Sequence, residues 1–435
     1  MNSVRLDKIP ISKIQEQFYV LNILYPEHTS YHIPSLFKIA GIPSVDILEK
    51  SINTIISRHD SLRAVINSDT EGASNSYIDI KVAHIQIEEI FITEPYQGQQ
   101  VTIIEEELKK PFELDKWPLF RVKLFVFENE ISLLTIVFHH IIVDLHSKRI
   151  FAKELSFFYN YYSKGTGERP KLNSMPYSSY AEWENEWLES SEANRMLTYW
   201  KSQFSDRNYR PNLPTDFDRP DMGCNKGKRK FFFMGGELSS LIDCFAREQS
   251  LNTFTILLAA YITLIHKLSG KELVVVGVPL SNRRKVEYKD TFGAFVNILP
   301  IHINFSDLNN GIDLVKQLRR VLLLAHRNQE IPFAHMVQNL NLQNSFSYNS
   351  IFQVGFTSEP PMKLDLEGVE IRPLEVERMG SQLDLFCTFW QENEAVKGYM
   401  EYATDLFKES TIDKWIKEYQ DICKELVLYP LKIQF

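Results

Sequence analysis

The chain has 435 residues, 44% of them hydrophobic and 24% charged, and its 56 acidic and 48 basic side chains leave a formal net charge of −8. This is the composition of a folded globular protein, which excludes disorder and fibre, and single cores stop growing at roughly 250 to 300 residues, so two lobes are expected. The basic residues form no stripe of the kind that grips a phosphate backbone, which argues against nucleic acid as a partner.

No apolar run reaches the roughly 18 to 20 residues of a membrane span, and "MNSVRLDKIPISKIQ" lacks the apolar stretch of a signal peptide. No membrane is expected. Cys224, Cys244, Cys387 and Cys423 lie far apart without a CxxC pair, so neither a zinc knuckle nor a disulfide framework is indicated and a cytoplasmic location fits.

In chain order, "ISKIQEQFYVLNIL" sets Ile11, Ile14, Phe18 and Leu21 on one helical face. "SLFKIAG" reads as a strand, and "SVDILEKSINTIISRH" as a helix with Leu48, Ile52, Ile55 and Ile56 on one face and Ser44 as N-cap. "LRAVIN" returns as a strand. "PLFRVKLFVF" and "ISLLTIVFHH", separated by "ENE", predict an antiparallel hairpin whose second strand ends on two histidines. Helical spacing resumes in "SKRIFAKELSFFYNYY", and "SKGTGERPKLNSMP" breaks it, which puts the boundary between an N-terminal lobe, 1–170, and a C-terminal lobe, 171–435. "RPNLPTDFDRPDMGCNKGK" is a polar surface segment. Helices then alternate with strands through "LSSLIDCFAREQ", "TFTILLAAYITLIHKL", "ELVVVGVPL", a helix ending in "LLAHRNQ", "LDLFCTFW", "VKGYMEYA" and a closing helix from Thr411. The order is α/β (α+β) with antiparallel pairing, repeated in two halves.

The densest chemistry lies in "FHHIIVDLHS", residues 138–147. A strand that ends on His139 and His140 turns their side chains to opposite faces, so only one can meet a cleft. An imidazole there suits proton transfer at neutral pH, with Asp144 orienting a cation or holding the turn. Two core histidines and a helix-capping aspartate are the plainer reading. A metal site from His139, His140, Asp144 and His146 is the third, weakened because adjacent strand histidines diverge.

"HHIIVDL" resembles the HHxxxDG motif of nonribosomal peptide synthetase condensation domains, which are related to chloramphenicol acetyltransferase. Other motifs follow in order: "SKIQEQFYVL" resembles SxAQxRxWxL with Gln17 at the arginine, "RHDSLRAVI" resembles RHExLRTxF, and "YSSYAEW" resembles YxDYAxW with Ser179 at the aspartate. "YW" at Tyr199 with "LPTDFDRP" is similar to the inter-lobe region, "FGAFVNILP" to IGxFVNTL, and "NQEIPFA" to [HN]QDYPFE, a region where epimerization domains match less well. "NSFSYNSIFQVGFT" keeps part of RDxSRxPLFQV. The resemblance covers residues 10 to 428 and implies two chloramphenicol acetyltransferase-like lobes arranged in a V with a central tunnel.

The resemblance implies an acyltransferase that joins a carrier-bound acyl or aminoacyl thioester to an amine acceptor, forming an amide and a free thiol. No bound cofactor and no metal is implied. Donor and acceptor carrier proteins present the substrates as phosphopantetheine thioesters, a small-molecule amine being another acceptor open to it. The protein is expected to be a monomer or part of a larger synthetase, free-standing or an N-terminal domain of one. By its place in the motif His140 stands beside the attacking nitrogen, as base or as positioning group. Asp144 and Arg283, whose counterparts pair across from the other lobe's side, belong to architecture, and His139 to structure. Asn297 is a candidate tunnel-lining group or a strand-end hydrogen-bonder, while Arg58 and Arg63 support the fold. Leu145 replaces the motif glycine, whose backbone freedom and lack of side chain a leucine does not share. It leaves open an enzyme with a reshaped pocket, one with an unusual acceptor, or a degenerate domain that binds a carrier protein or tailoring enzyme. An ester-forming acyltransferase of the same superfamily is the nearer rival.

Overall fold

The computed structural model describes residues 4–26, 29–69, 72–96, 101–165, 174–204, 209, 213–220, 226–340, 351–375 and 380–435. The chain opens with β1 (Val4–Pro10), α1 (Lys13–Leu24), β2 (His32–Ala40), α2 (Val45–Arg58), β3 (Ala64–Asp69), β4 (Gly72–Ile78), β5 (Glu88–Ile92), α3 (Val101–Lys109), β6 (Phe120–Phe127), β7 (Ile131–His139), α4 (Leu145–Lys164) and α5 (Tyr177–Trp187). It continues with α6 (Ser191–Gln203), β8 (Gly227–Met234), α7 (Gly236–Glu248), α8 (Thr253–Ser269), β9 (Leu273–Leu280), β10 (Asn297–Asn304), α9 (Gly311–Arg327), α10 (Phe333–Asn339), β11 (Val354–Ser358), β12 (Glu370–Leu374), β13 (Leu385–Glu392), β14 (Ala395–Ala403) and α11 (Glu409–Leu428).

Two compact units divide these elements, one of Met1–Ser191, Ser281–Val296 and Pro361–Val376, the other of Glu192–Leu280, Asn297–Pro360 and Glu377–Phe435. The cut expected at residue 170 falls in 166–173, outside the described residues. Neither unit is contiguous in sequence: α5 and two later segments belong to the first. The second of those segments brings β12, which pairs antiparallel with β2 from Glu370↔Ala40 to Leu374↔Leu36.

The first unit holds a five-stranded sheet in the order β12-β2-β7-β6-β5 and a small sheet β1-β4-β3. The hairpin read from "ENE" is present: β6 and β7 run antiparallel, with the left-handed Glu130 in the turn. β7 lies at the middle of the sheet and is buried from Ser132 to His139. Such burial on both faces explains its unbroken apolar run. α2 presents the fully buried Leu48, Ile52, Ile55 and Ile56 to the core, as its periodicity predicted. α1 starts two residues later than its apolar pattern, at Lys13, because Ser12 and Gln15 form a reciprocal capping box.

The second unit is a six-stranded sheet in the order β10-β9-β11-β13-β14-β8. α8 is buried from Thr255 to Ile265, which accounts for its nearly unbroken apolar sequence. Both large sheets include parallel pairs, β5 with β6 and β11 with β13 and β9, beside the antiparallel pairing expected. Of the polar segment at 210–228, residues 213–220 form neither helix nor strand, and its last two residues already belong to β8. Among the described residues no single helix is long and apolar enough to cross a membrane. Cys244, Cys387 and Cys423 are free thiols, and Cys224 lies outside the described residues.

Candidate active site

β7 ends at His139, and His140 opens a single 3-10 turn, His140–Ile142, before Asp144 caps α4. The two histidines therefore diverge through a turn, where an alternating strand was expected. The His140 N–H still bonds backbone, but the donor after it is taken up by the His139 side chain, whose Nδ1 accepts the Ile141 N–H at 3.1 Å, and the strand stops there. That bond makes the buried His139 a neutral ring protonated on Nε2. Burial, then the neighbouring His32, His140 and Arg121, push its pKa well below the usual histidine value. His139 is structural in its contacts.

His140 is half-buried and its ring lies on that of Phe18, with centroids 4.7 Å apart. Its Nδ1 is 2.8 Å from the Val143 carbonyl oxygen. A carbonyl only accepts, so Nδ1 carries a proton, and in the neutral form of the ring the lone pair is therefore on Nε2. The turn is fastened in front as well. Gln15 Nε2 donates to the Ile141 carbonyl at 3.2 Å, and the His140 N–H donates to the Tyr31 carbonyl at 2.9 Å.

Behind the turn, Asp144 and Arg283 form a two-pronged ion pair, with Nη1 2.6 Å from Oδ2 and Nη2 3.1 Å from Oδ1. Only 3% of each side chain is exposed. Asp144 also accepts the Ser147 N–H, capping α4, and the Phe295 N–H. Burial pushes its carboxyl pKa up, but the Arg283 charge and these hydrogen bonds outweigh it and hold the group below the ordinary carboxylate range. Arg283 further donates to Ser147 Oγ at 2.8 Å and lies over the Phe295 ring, 4.1 Å from its centroid. The arginine was expected from the other lobe's side; its segment, 281–296, instead belongs to the same compact unit as Asp144.

Ser147 and Tyr177, which the sequence did not single out, tie residues 293–295 into this arrangement. Ser147 Oγ donates to the Gly293 carbonyl at 2.8 Å, and the Tyr177 hydroxyl donates to the Ala294 carbonyl at 2.6 Å. A Cβ on residue 293 would lie 2.0 Å from Tyr177 Cδ2, so glycine is required there by close approach.

The sequence profile of the condensation domain matches residues 5–433. The chain belongs to the condensation domain family. It is 30% identical over 434 residues, 98% of its length, to one of the linear gramicidin synthase proteins of Brevibacillus parabrevis, and spans 6% of that protein. It is 30% identical over 411 residues, 94% of its length, to surfactin synthase subunit 2 of Bacillus subtilis strain 168, and spans 11% of it. Among solved structures it resembles the X-domain from teicoplanin biosynthesis, with a TM-score of 0.88, 18% identity and coverage of 98% and 97% of the two chains. A four-domain nonribosomal peptide synthetase bound to AMP and glycine gives a TM-score of 0.87 at 20% identity, over 99% of this chain and 33% of that one. The first condensation domain of the calcium-dependent antibiotic synthetase gives 0.83 at 16% identity, over 98% and 97%. These likenesses establish the chloramphenicol acetyltransferase-like fold.

The remaining motif residues of this condensation domain fall into place around that turn or away from it. Leu145 is the first residue of α4, half-buried, and is not among the residues with positive φ. The backbone freedom of a glycine is therefore not used at this position. His146 Nε2 contacts the Lys289 carbonyl at 3.0 Å. With the His139 and His140 Nδ1 atoms and both Asp144 oxygens engaged as described, the four residues do not converge, and no metal-holding group of three or more His, Cys, Asp or Glu occurs among the described residues.

Asn297, first residue of β10, commits its whole amide to residues 329–333. Nδ2 donates to the Gln329 and Ile331 carbonyls, both at 2.7 Å, and Oδ1 accepts the Phe333 N–H at 2.9 Å. Arg58 holds Glu154 through Nε and Nη2, and Arg63 Nη1 donates to the Ile56 carbonyl at 2.7 Å near the end of α2.

Proposed function

We propose that this chain is an acyltransferase that condenses a carrier-bound acyl or aminoacyl thioester with an amine. The amine nitrogen attacks the thioester carbonyl, the C–N bond forms, and the C–S bond of the tetrahedral intermediate breaks. The pantetheine sulfur leaves as thiol with the proton that the nitrogen gives up. His140 is the working imidazole in this account, and one observation carries it: the bond from Nδ1–H to the Val143 carbonyl puts the lone pair on Nε2, the form that accepts a proton from, or a hydrogen bond from, an attacking amine. Asp144 is not the base, since both its oxygens are engaged by a guanidinium and two backbone N–H groups. It and Arg283 hold the turn. The partners are donor and acceptor carrier proteins that present phosphopantetheine thioesters.

A second reading is supported by a different observation. A solved complex of the teicoplanin X-domain with OxyB is among the structures similar to this one, at a TM-score of 0.86, and Leu145 departs from the family's HHxxxDG pattern. The domain would then recruit a carrier protein or tailoring enzyme without condensing anything. Mass spectrometry of acyl-loaded carrier proteins mixed with this protein and a panel of amine and alcohol acceptors separates the readings. An amide product that depends on His140 supports the first, an ester the related alcohol acyltransferase, and binding without product the recruitment module.

A further inference from the structure

α1 precedes the histidine turn by more than a hundred residues, yet two of its side chains meet that turn. Phe18 lies against the His140 ring and Gln15 bonds the Ile141 carbonyl. Gln15 is 1% exposed, and every polar valence of its amide is spent. Oε1 accepts the Ser12 N–H at 3.1 Å and Asn75 Nδ2 at 3.0 Å, while Nε2 donates to Asn75 Oδ1 at 3.4 Å and to Ile141 at 3.2 Å. Asn75, itself 0% exposed, is anchored to the Pro10 carbonyl at 3.2 Å. A helix cap would need only the acceptor half of this glutamine. The donor half reaches the peptide between His140 and Val143.

We infer that Gln15 is a positioning residue for His140: by holding the Ile141 carbonyl it keeps the turn closed, so that the Val143 carbonyl stays on Nδ1 and the lone pair on Nε2. The two supports of the turn are also joined to each other. Ser12 Oγ lies 2.7 Å from the Tyr177 hydroxyl, which bonds Ala294, one residue before the Phe295 N–H that Asp144 accepts. The front of the turn, through Gln15, and its rear, through Asp144, thus share one framework of buried hydrogen bonds. If the Ile141 carbonyl were released, the turn would open, the Nδ1 proton would lose its acceptor, and the proton would redistribute to Nε2.

This inference rests on the reading of His140 as the working imidazole, but its test does not require turnover. The probe is the full chain with 15N-labelled histidine, read by long-range 1H–15N correlation, with the His140 ring assigned by its absence in His140→Gln. Wild type should show His140 in the Nδ1–H tautomer. Gln15→Glu keeps both bonds that Gln15 accepts, and hence the helix cap, but turns a carboxylate toward the Ile141 carbonyl; Gln15→Met keeps only the length. Both should move His140 toward the Nε2–H tautomer and displace its titration midpoint, while Ile56→Val, a core change away from the turn, should not. With an acyl-loaded carrier protein and an amine, the Gln15 variants should lose about tenfold or more in kcat with KM changed less than about twofold, the pattern of a misplaced group. A folded Gln15 variant with unaltered His140 ring signals overturns the inference. Should neither variant fold, the wild-type ring decides, since an Nε2–H tautomer there contradicts the geometry. Full turnover in His140→Ala would sink the proposed function and leave the ring measurement standing.

Discussion

Arg283 grips Asp144 from 139 positions away in sequence, with both prongs of its guanidinium on both oxygens of the carboxylate and 3% of either side chain exposed. The pair fastens the N-terminus of α4 to the 281–296 segment. Removing either partner strands a buried charge, at a cost of about 3 to 5 kcal/mol. Arg283→Ala and Asp144→Ala are both expected to melt well below the wild type, and Arg283→Lys to recover only part of the loss because an ammonium lacks the fork. Calorimetry of the three variants checks this; wild-type melting in either alanine variant contradicts the architectural role.

Two titrations give the fold an acid limb. Asp144 is held below its ordinary carboxylate range, so its contribution is complete above the unfolded value of 3.8 and is lost as pH falls through the lower folded value. His139 is neutral in the fold and held well below 6.5, so the unfolded chain takes up its proton first and stability begins to fall as pH drops below about 6.5. Chemical denaturation between pH 7.5 and 5 should show declining stability, and His139→Asn should shallow that decline. A flat profile over this range contradicts a buried neutral His139.

Asn297 is a strut, and its loss should act on stability. Asn297→Ala leaves the Gln329 and Ile331 carbonyls and the Phe333 N–H without their partner, at roughly 1 to 3 kcal/mol. Urea melts should register it. A variant that keeps wild-type stability but changes acceptor choice would return Asn297 to the role of a substrate contact.

The helices α2 and α4 were legible because a 3.6-residue period governs each, and β7 and α8 because a long apolar run bounded by turn residues marks a buried element. The motif residues His139, His140, Asp144 and Arg283 were legible from spacing and resemblance. What the sequence hid was long-range. β12 joins β2 across more than 300 residues, Gln15 reaches the histidine turn and Tyr177 the 293–295 segment behind it, contacts that the motifs holding these two residues do not reveal. Even so, "SKIQ" carries the S-x-x-Q signature of a capping box, which could have marked Gln15. The strand's end was hidden too, since it depends on a side-chain bond, His139 Nδ1 to Ile141, that no propensity encodes.

Leu145 sits in ordinary helical backbone, so Leu145→Gly should cost about 1 kcal/mol through helix propensity, with further loss from its half-buried side chain. Thermal melts give the cost, and a condensation assay on the same variant gives the consequence for acceptors. A variant as stable as wild type would show that the leucine adds nothing to the first turn of α4.

The central claim is that His140 acts chemically in amide formation. The most direct test is intact-protein mass spectrometry, in a quenched time course, of an acyl-loaded donor carrier mixed with an aminoacyl-loaded acceptor carrier and either wild type or His140→Ala. An amide-linked product is expected on the acceptor carrier with wild type, formed at least about 10²-fold more slowly by a His140→Ala variant of unchanged melting temperature. Equal rates for the two proteins, or no product with any loaded carrier that the wild type binds, would contradict the claim.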